Sequence, residues 1–109
     1  MSSSAAPPAV LVLTTLGADA DAAALARTLV EERLAACVNV LPPMRSIYRW
    51  QGAVEQAAEH QLVIKTTAAR VEALKARLAD LHPYDLPELL VIAVADGGDR
   101  YLRWIADSA

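Results

Sequence analysis

The first apolar stretch of the chain predicts a buried strand. Large aliphatic residues at consecutive positions leave no polar side for water, so we expect a strand over residues 9–15 that is apolar on both faces. Gly17 and Asp19 then supply turn and helix N-cap signals. Beyond them the spacing of three aliphatic residues predicts a helix over residues 20–34. These three are Leu25, Leu29 and Val30.

The next segment indicates a hairpin with a long first arm. Residues 37–50 are rich in β-branched and aromatic side chains, which favours an extended conformation. Pro42-Pro43 interrupts this arm and predicts an edge strand or a kinked one, because proline donates no hydrogen bond to a sheet. Gln51-Gly52 is a hairpin tip signal. We therefore expect a returning strand over residues 53–65, best defined over 60–65.

The last third of the chain predicts a helix, a strand and a short terminal helix. Thr67 can cap a helix over residues 68–81, whose apolar stripe recurs at offsets of three, four and three before Pro83 ends it. Residues 89–94 are apolar on both faces and predict a strand, after which Asp99 can cap the final helix. The stripe is Val71, Leu74, Leu78 and Leu81, and the final helix shares Tyr101, Trp104 and Ile105 on one face.

The element order β-α-β-β-α-β predicts an α/β plait of ferredoxin-like topology, with a short C-terminal helix added. In this fold both helices cover one face of a four-stranded antiparallel sheet. The other face would then carry about half of the large aliphatic side chains, and soluble monomers avoid so large an apolar patch. We expect this open face to pack on other copies of the chain. Coverage by the C-terminal helix alone is the alternative.

The composition and charge of the chain argue against nucleic-acid binding and against a membrane partner. The chain has 109 residues, 55% of them hydrophobic, with a formal net charge of −3. Its pI is about 5.2 and its mean hydropathy is +0.28. The basic residues are dispersed, so no positive stripe for nucleic acid is expected. The apolar run near the start is too short for a membrane span, and we expect no membrane partner.

One cysteine, Cys37, allows no intrachain disulfide, which fits a reducing compartment. We therefore expect a cytoplasmic protein. Residues 1–8 carry serine, alanine and proline without a basic region and predict a flexible tail, so the folded domain is expected over residues 9–109.

Five sequence blocks occur in a fixed order along the chain. They are residues 32–39 (ERLAACVN), 46–52 (SIYRWQG), 62–67 (LVIKTT), 82–88 (HPYDLPE) and 101–104 (YLRW). Together they resemble the CutA family of divalent-cation tolerance proteins over most of the chain. The resemblance implies a ferredoxin-like fold, a homotrimer built like the PII signal proteins, and an association with divalent metals, copper above all. It implies no established catalytic reaction, so we expect a protein that is not an enzyme and has no organic cofactor.

His82 and Cys37 are the candidate metal ligands. Imidazole binds copper and zinc, thiolate suits Cu(I), and carboxylates near His82 add oxygen donors. Some members of this family are described with copper ligands from a cysteine at the end of the first strand and a histidine pair before the proline. Those positions here are Thr14, Leu81 and His82, and of these only His82 is a good donor. A buried, inert cysteine is the alternative for Cys37. A rigid connector is the alternative for residues 82–88, with Tyr84 at a subunit interface.

The aromatic residues near the hairpin tip, Tyr48 and Trp50, are candidates for the oligomer interface, because exposed aromatics are costly unless they dock. A ligand-stacking surface is the alternative. Lys65 could meet an anion at the following helix N-terminus, or form an ion pair with Glu59 or Glu88. The candidate cleft residues are Lys65, Tyr84, Asp85, Glu88 and Trp104.

Two functions remain open at this point. The first is a trimeric, non-catalytic protein that binds copper or another divalent cation and takes part in the metal-ion response. The second is a PII-like signalling trimer with a small-molecule ligand, such as a small anion, in its intersubunit clefts. An acylphosphatase-like enzyme is disfavoured because residues 15–20 contain no arginine. RNA binding on such a plait needs exposed aromatics on the central strands, which the predicted first and third strands do not have.

Overall fold

The computed structural model describes residues 8–109, so all but Pro8 of the predicted flexible tail lies outside the described residues. One antiparallel sheet organises the described chain. Strand and helix bounds follow the chain order β1 (Ala9–Gly17), α1 (Ala22–Glu31), β2 (Cys37–Val40), β3 (Met44–Trp50), β4 (Ala53–Thr67), α2 (Val71–Leu81), β5 (Leu90–Ala93) and α3 (Asp99–Ser108).

The sheet order is β2-β4-β1-β5, and β3 also pairs with β4. This is the order of a ferredoxin-like plait whose second strand is split in two, so the predicted fold class is confirmed. The split falls at Pro42-Pro43, where proline removes the backbone donors that a continuous ladder needs.

Strand β4 is longer than its neighbours and pairs with a different partner along each half. Its first part, Ala53 to Glu59, pairs with β3, while its second part pairs with β1 from Glu59 to Thr67. The β3–β4 hairpin turns at Gln51 (φ 49°) and Gly52 (φ 81°). Two central residues with positive φ match a type I′ turn, whose twist suits paired strands. The hairpin tip predicted from the sequence is confirmed.

Helices α1 and α2 cover one face of the sheet. The fully buried side chains between these layers include Val12, Leu62 and Ile64 from the strands and Leu29, Leu74 and Leu78 from the helices. Helix α1 begins later than predicted because Asp21, and not Asp19, caps it by accepting a hydrogen bond from the Ala24 N–H. The aspartate that can reach the free amides of the first turn sets the start of the helix.

The starts of α2 and α3 also differ from the prediction. Thr67 makes no side-chain capping bond, and a 3₁₀ turn over Ala68–Arg70 precedes α2. Gly98, not Asp99, is the N-cap residue of α3, and Asp99 lies in the first turn. An acidic residue there still stabilises the positive end of the helix dipole.

The opposite face of the sheet is only partly covered. Helix α3 packs over one end of it, where Ile105 joins Ala9, Ala36 and Ala109 in a small buried cluster. Farther along, Leu13 pairs with Leu90 and Leu11 with Ile92, and Leu90 and Ile92 stay 55% and 44% exposed. Coverage of this open face by α3 alone therefore does not account for its apolar residues.

Within residues 8–109, none of the helices combines the length and the apolar character that a membrane crossing requires.

Candidate functional site

A groove of about 790 Å³ lies on the open face, between strand β3 and the segment that follows α2. We call it the hairpin groove. Its lining residues are Thr15, Met44, Ser46, Ile47, Tyr48, Trp50, Glu59, Gln61, Tyr84, Asp85, Leu86, Pro87 and Glu88.

His82 fixes the segment that forms one wall of the groove. Its ring is buried, Nε2 lies 2.6 Å from the Thr15 carbonyl oxygen, and Nδ1 accepts a hydrogen bond of 3.2 Å from the Tyr84 N–H. Because Nδ1 is the acceptor, Nε2 carries the proton and donates to Thr15. Both ring nitrogens are therefore engaged with backbone, and the imidazole anchors residues 82–88 to strand β1.

Glu59 and Tyr84 form the deepest polar contact of the groove. The Tyr84 hydroxyl donates a 2.8 Å hydrogen bond to Oε2 of Glu59, whose residue is only 6% exposed. Burial, the hydrogen bond to Glu59 and the negative charge of Glu59 raise the pKa of Tyr84 to about 12. The phenol therefore stays protonated at neutral pH and keeps donating to the carboxylate.

A second polar contact lies beside the first. Gln61 Nε2 donates to Oε2 of Glu88 at 3.0 Å and to the Thr14 carbonyl oxygen at 2.7 Å. Gln61 and Glu59 lie two positions apart on β4, so their side chains emerge on the same face of the sheet. The floor of the groove thus holds two carboxylates, each with an uncharged hydrogen-bond partner.

The aromatic wall comes from alternate positions of β3. Tyr48 and Trp50 line the groove and are 42% and 45% exposed. Arg45 and Arg49 are not among the lining residues, although Ile47, which shares their alternation along β3, is one of them. No guanidinium group of the described chain therefore contributes to the lining.

The structure brings together most of the residues that the sequence singled out. Tyr84, Asp85 and Glu88, predicted as cleft residues, share the groove with Tyr48 and Trp50, predicted as interface residues. The segment 82–88 is also the rigid connector that the alternative interpretation described.

Lys65 and Trp104 lie outside the groove, next to Tyr101 of α3. Lys65 Nζ is 3.3 Å from the Tyr101 hydroxyl and 5.6 Å from its ring centre. The Trp104 and Tyr101 rings are 5.4 Å apart. The alternative of an ion pair between Lys65 and Glu59 or Glu88 does not form among the described residues, where those carboxylates contact Tyr84 and Gln61.

The residues around His82 do not fit a copper ion. Both imidazole nitrogens are already hydrogen-bonded, and the Thr14 Oγ1 is buried without a partner and is a poor copper donor. Cys37 pairs with Lys65, and Thr15 pairs with Gln61. Lys65 and Gln61 are four residues apart on β4, which is about 13 Å at the usual rise per residue. Cys37 therefore lies far from the contact between His82 and Thr15. Residues 8–109 hold no cluster of three or more histidine, cysteine or acidic side chains suited to a metal ion. Metal binding at His82 or Cys37 stays a prediction.

Sequence reasoning did not identify the floor of the groove. The sequence indicates Glu59 only as a possible ion-pair partner of Lys65, and no motif in it singles out Gln61. The available signal was the appearance of polar residues at alternate positions where the apolar β4 run begins. That pattern places Glu59 and Gln61 on one face, but the partner segment 82–88 is distant in sequence and its position depends on the His82 anchor.

The sheet order, the long hairpin and the terminal helix together define a ferredoxin-like plait with an extended second strand. The family described as CutA1 divalent ion tolerance protein matches residues 10–108 of this chain. The chain belongs to the CutA1 family of divalent ion tolerance proteins, as its sequence blocks predicted.

Named relatives are similar over nearly the whole chain. The divalent-cation tolerance protein CutA of Thermus thermophilus is 45% identical over 98 residues, which cover 90% of this chain and 95% of the relative. The protein of the same name from Pectobacterium atrosepticum is 48% identical over 97 residues, covering 89% and 88%.

Solved structures share the same architecture. CutA1 from Oryza sativa matches with a TM-score of 0.90 at 35% identity, covering 94% of each chain. The PII-like protein CutA from Nostoc sp. PCC 7120 matches with a TM-score of 0.84 at 39% identity, covering 91% of this chain and 95% of that one.

Proposed function

We propose that this chain acts as a non-catalytic, PII-like homotrimer that binds a small-molecule ligand in the hairpin groove, and that it serves divalent-cation tolerance through this binding. The observation that carries the proposal is the buried Glu59 carboxylate in the floor of a groove of about 790 Å³. A groove of this size, with a polar floor and walls that include aromatic and aliphatic side chains, suits a small organic molecule.

The chemistry of the groove supports binding rather than catalysis. Its hydroxyl side chains, Thr15 and Ser46, have no imidazole or amine among the lining residues to act as a base. The nearby imidazole of His82 uses both nitrogens for backbone contacts. A nucleophile needs a base within hydrogen-bond reach, and within the described residues the lining carboxylates Glu59 and Glu88 contact Tyr84 and Gln61 and not these two hydroxyls.

The open face supports assembly of several copies. Leu90 and Ile92 project from strand β5 on the side that α1 and α2 do not cover, next to half-buried Leu11 and Leu13. Contiguous aliphatic surface of this kind is typical of subunit interfaces. Three copies is the number that the family resemblance implies, and the Nostoc relative is described as PII-like. In such an assembly the hairpin groove would form one wall of a cleft between subunits.

Two measurements test the proposal. Sedimentation velocity over a wide concentration range gives the mass of the assembly, which we expect to be three times the 11.6 kDa chain. A thermal-shift panel of nucleotides, organic acids and organic amines then searches for the ligand. We expect one class to raise the unfolding temperature of the wild type and to do so less for Trp50→Ala. A stable monomer that no compound stabilises contradicts the proposal.

Direct binding of Cu(II) or another divalent cation by His82 is the competing function, and the family description favours it. Its support from the local chemistry is weaker, because a metal would have to displace the Thr15 carbonyl or the Tyr84 N–H from the ring. Calorimetric titration of the wild type and of His82→Ala with Cu(II) and Zn(II) separates the two functions. Micromolar binding that His82→Ala abolishes would favour the metal.

A further inference from the structure

We propose that the hairpin groove selects an organic ammonium cation over a phosphorylated or carboxylate anion. The inference rests on the proposed function, since it names the ligand class of the same groove. It follows from three features of the lining: its charge, the state of Glu59, and its aromatic walls.

The charge of the lining has one sign. Glu59, Asp85 and Glu88 contribute carboxylates, and none of the lining residues within the described chain is a lysine or an arginine. The basic residues of β3, Arg45 and Arg49, are not part of the lining. An anionic ligand would therefore meet repulsion without a basic group to hold it, whereas a cation would be attracted.

Glu59 offers a carboxylate oxygen to a cation in the groove. The residue is 6% exposed, and the Tyr84 hydroxyl, an uncharged donor, binds Oε2. The salt bridges described within residues 8–109 do not include Glu59, and its Oε1 is not among the buried unpartnered atoms, so this oxygen is open to the groove. An ammonium group could donate to it in a charge-assisted hydrogen bond, which is stronger than one between neutral groups.

The walls of the groove suit a cation that also has a hydrocarbon part. Tyr48, Trp50 and Tyr84 present half-exposed rings to the groove. Aromatic faces attract ammonium groups through their quadrupole and pack against methylene or methyl groups. The same combination of carboxylates and aromatic rings is poorly suited to a polyphosphate.

A bare metal ion fits these groups less well than an extended cation does. The acidic residues of the described chain form no cluster of three that could hold one ion. Glu59 and Glu88 instead accept from separate donors, Tyr84 and Gln61. Ammonium groups separated by a hydrocarbon chain could contact both carboxylates and lie along the rings between them.

The test uses Trp50 as a reporter in the assembled protein. A Trp104→Phe background leaves Trp50 as the remaining tryptophan, and its fluorescence is titrated with spermidine and choline as cations and with ATP and citrate as anions. We expect a cation to change the fluorescence saturably and the anions to have no effect. Glu59→Gln keeps the shape and the acceptor for Tyr84 but removes the charge, and we expect it to weaken cation binding at least tenfold.

Two further variants keep the outcome decisive. Glu72→Gln, on the exposed surface of α2, removes one charge elsewhere and should leave the affinity unchanged, which controls for non-specific attraction. Trp50→Ala, followed by calorimetry, should weaken binding roughly 3- to 30-fold through loss of the cation–π contact, and its exposed position makes misfolding a minor concern.

The possible failures are distinguishable. Saturable binding of ATP or citrate in the groove without binding of either cation overturns the ammonium inference and leaves the ligand-binding function standing. Cation binding that Glu59→Gln does not weaken more than Glu72→Gln overturns the inference as well. If nothing binds in any assay, the proposed function of the groove fails together with its ligand class.

Discussion

The protonated Nε2 of His82 donates to the backbone carbonyl of Thr15 across 2.6 Å. This contact joins the end of α2 to the middle strand β1, and the Nδ1 contact to the Tyr84 N–H holds the next residues in place. The position of residues 82–88, which form one wall of the groove, therefore depends on a histidine whose two ring nitrogens are both hydrogen-bonded to backbone groups.

Replacing His82 with alanine should destabilise the protein by about 2–4 kcal/mol. The change removes both ring hydrogen bonds and leaves the buried Thr15 carbonyl without its donor. Urea unfolding at a fixed protein concentration measures the loss. His60→Ala is the matched control, since the His60 ring contacts only the Leu41 carbonyl from a partly exposed site. The loss should be the same with and without a chelator, and a loss that appears only with metal present would contradict the anchoring role.

Thr14→Val should stabilise the protein by about 1 kcal/mol. The Thr14 Oγ1 is buried and has no hydrogen-bond partner, so an isosteric methyl group removes a desolvation cost without changing the packing. Thr66→Val is the control on the neighbouring strand, because the Thr66 Oγ1 donates to the Leu34 carbonyl at 2.8 Å. We expect Thr66→Val to destabilise by about 1 kcal/mol. Equal effects of the two variants in urea unfolding would refute the distinction.

The ion pair between Arg77 and Glu32 should make stability depend on pH at the acidic end. Arg77 Nε and Nη2 donate to the two Glu32 oxygens at 2.8 and 2.9 Å, joining α2 to the end of α1. The hydrogen bond from Arg77 lowers the pKa of Glu32 below its usual 4.5. The stability that this pair contributes is therefore present above that value and lost as the pH falls through the lowered pKa.

Chemical unfolding of the wild type and of Arg77→Met at neutral pH and at about pH 3 tests the pair. We expect the wild type to be the more stable at neutral pH and the difference to shrink at low pH and in molar salt. Arg27→Met, on the exposed side of α1, controls for the loss of positive charge. A difference that does not change with pH would assign the effect to packing of the arginine stem.

The Tyr84 phenol should lose its proton at a higher pH than an ordinary tyrosine does. Burial and the contact with Glu59 raise its pKa from 10.0 to about 12. Because the neutral phenol is the favoured form in the folded state, its contribution to stability is complete below pH 10 and disappears as the pH rises towards 12. Ultraviolet titration of phenolate absorbance in the wild type minus Tyr84→Phe should give this midpoint. A midpoint near 10 would show that the Glu59 contact does not form in solution.

A charge on the open face should break the assembly. Ile92→Glu places a carboxylate among the exposed aliphatic residues of β5, and burying an unpaired charge in an apolar interface is strongly unfavourable. Sedimentation velocity should show single chains for Ile92→Glu and unchanged assemblies for Val30→Glu on α1, which is exposed to a similar extent. Assemblies that survive Ile92→Glu would place the interface on another surface.

Most of the fold followed from local sequence patterns, because those patterns are physical requirements of each element. The short run of consecutive aliphatics from Val10 to Leu13 favours a buried strand, and Gln51-Gly52 can adopt the positive φ angles of a tight turn. The errors lie at the bounds of the elements: α1 ends at Glu31 and not at residue 34, β4 continues to Thr67, and the helix starts differ. Asp19 and Asp21 are both competent caps in sequence, and only the path of the chain out of β1 decides which one reaches the amides.

Only some members of the groove were predicted, and its floor and arrangement were not. Tyr84, Asp85 and Glu88 stood out as polar residues in a proline-containing segment, and Tyr48 and Trp50 as exposed aromatics. Their meeting depends on register: Met44 lies opposite Glu59 in one ladder, and Gly17 lies opposite Glu59 in the other. Such pairings between distant segments are decided by the packing of the whole sheet, so a local pattern cannot reveal them.

The unequal length of β4 and its neighbours has a consequence for how the chain behaves when diluted. Residues 53–57 are paired on one side by β3, while β1 ends its pairing at Glu59. The other edge of that stretch thus offers backbone N–H and C=O groups that a strand from a second molecule can complete. Every second amide along it should exchange its hydrogen with water quickly in an isolated subunit and slowly once a neighbouring backbone covers the edge, which makes those amides a direct sensor of quaternary structure.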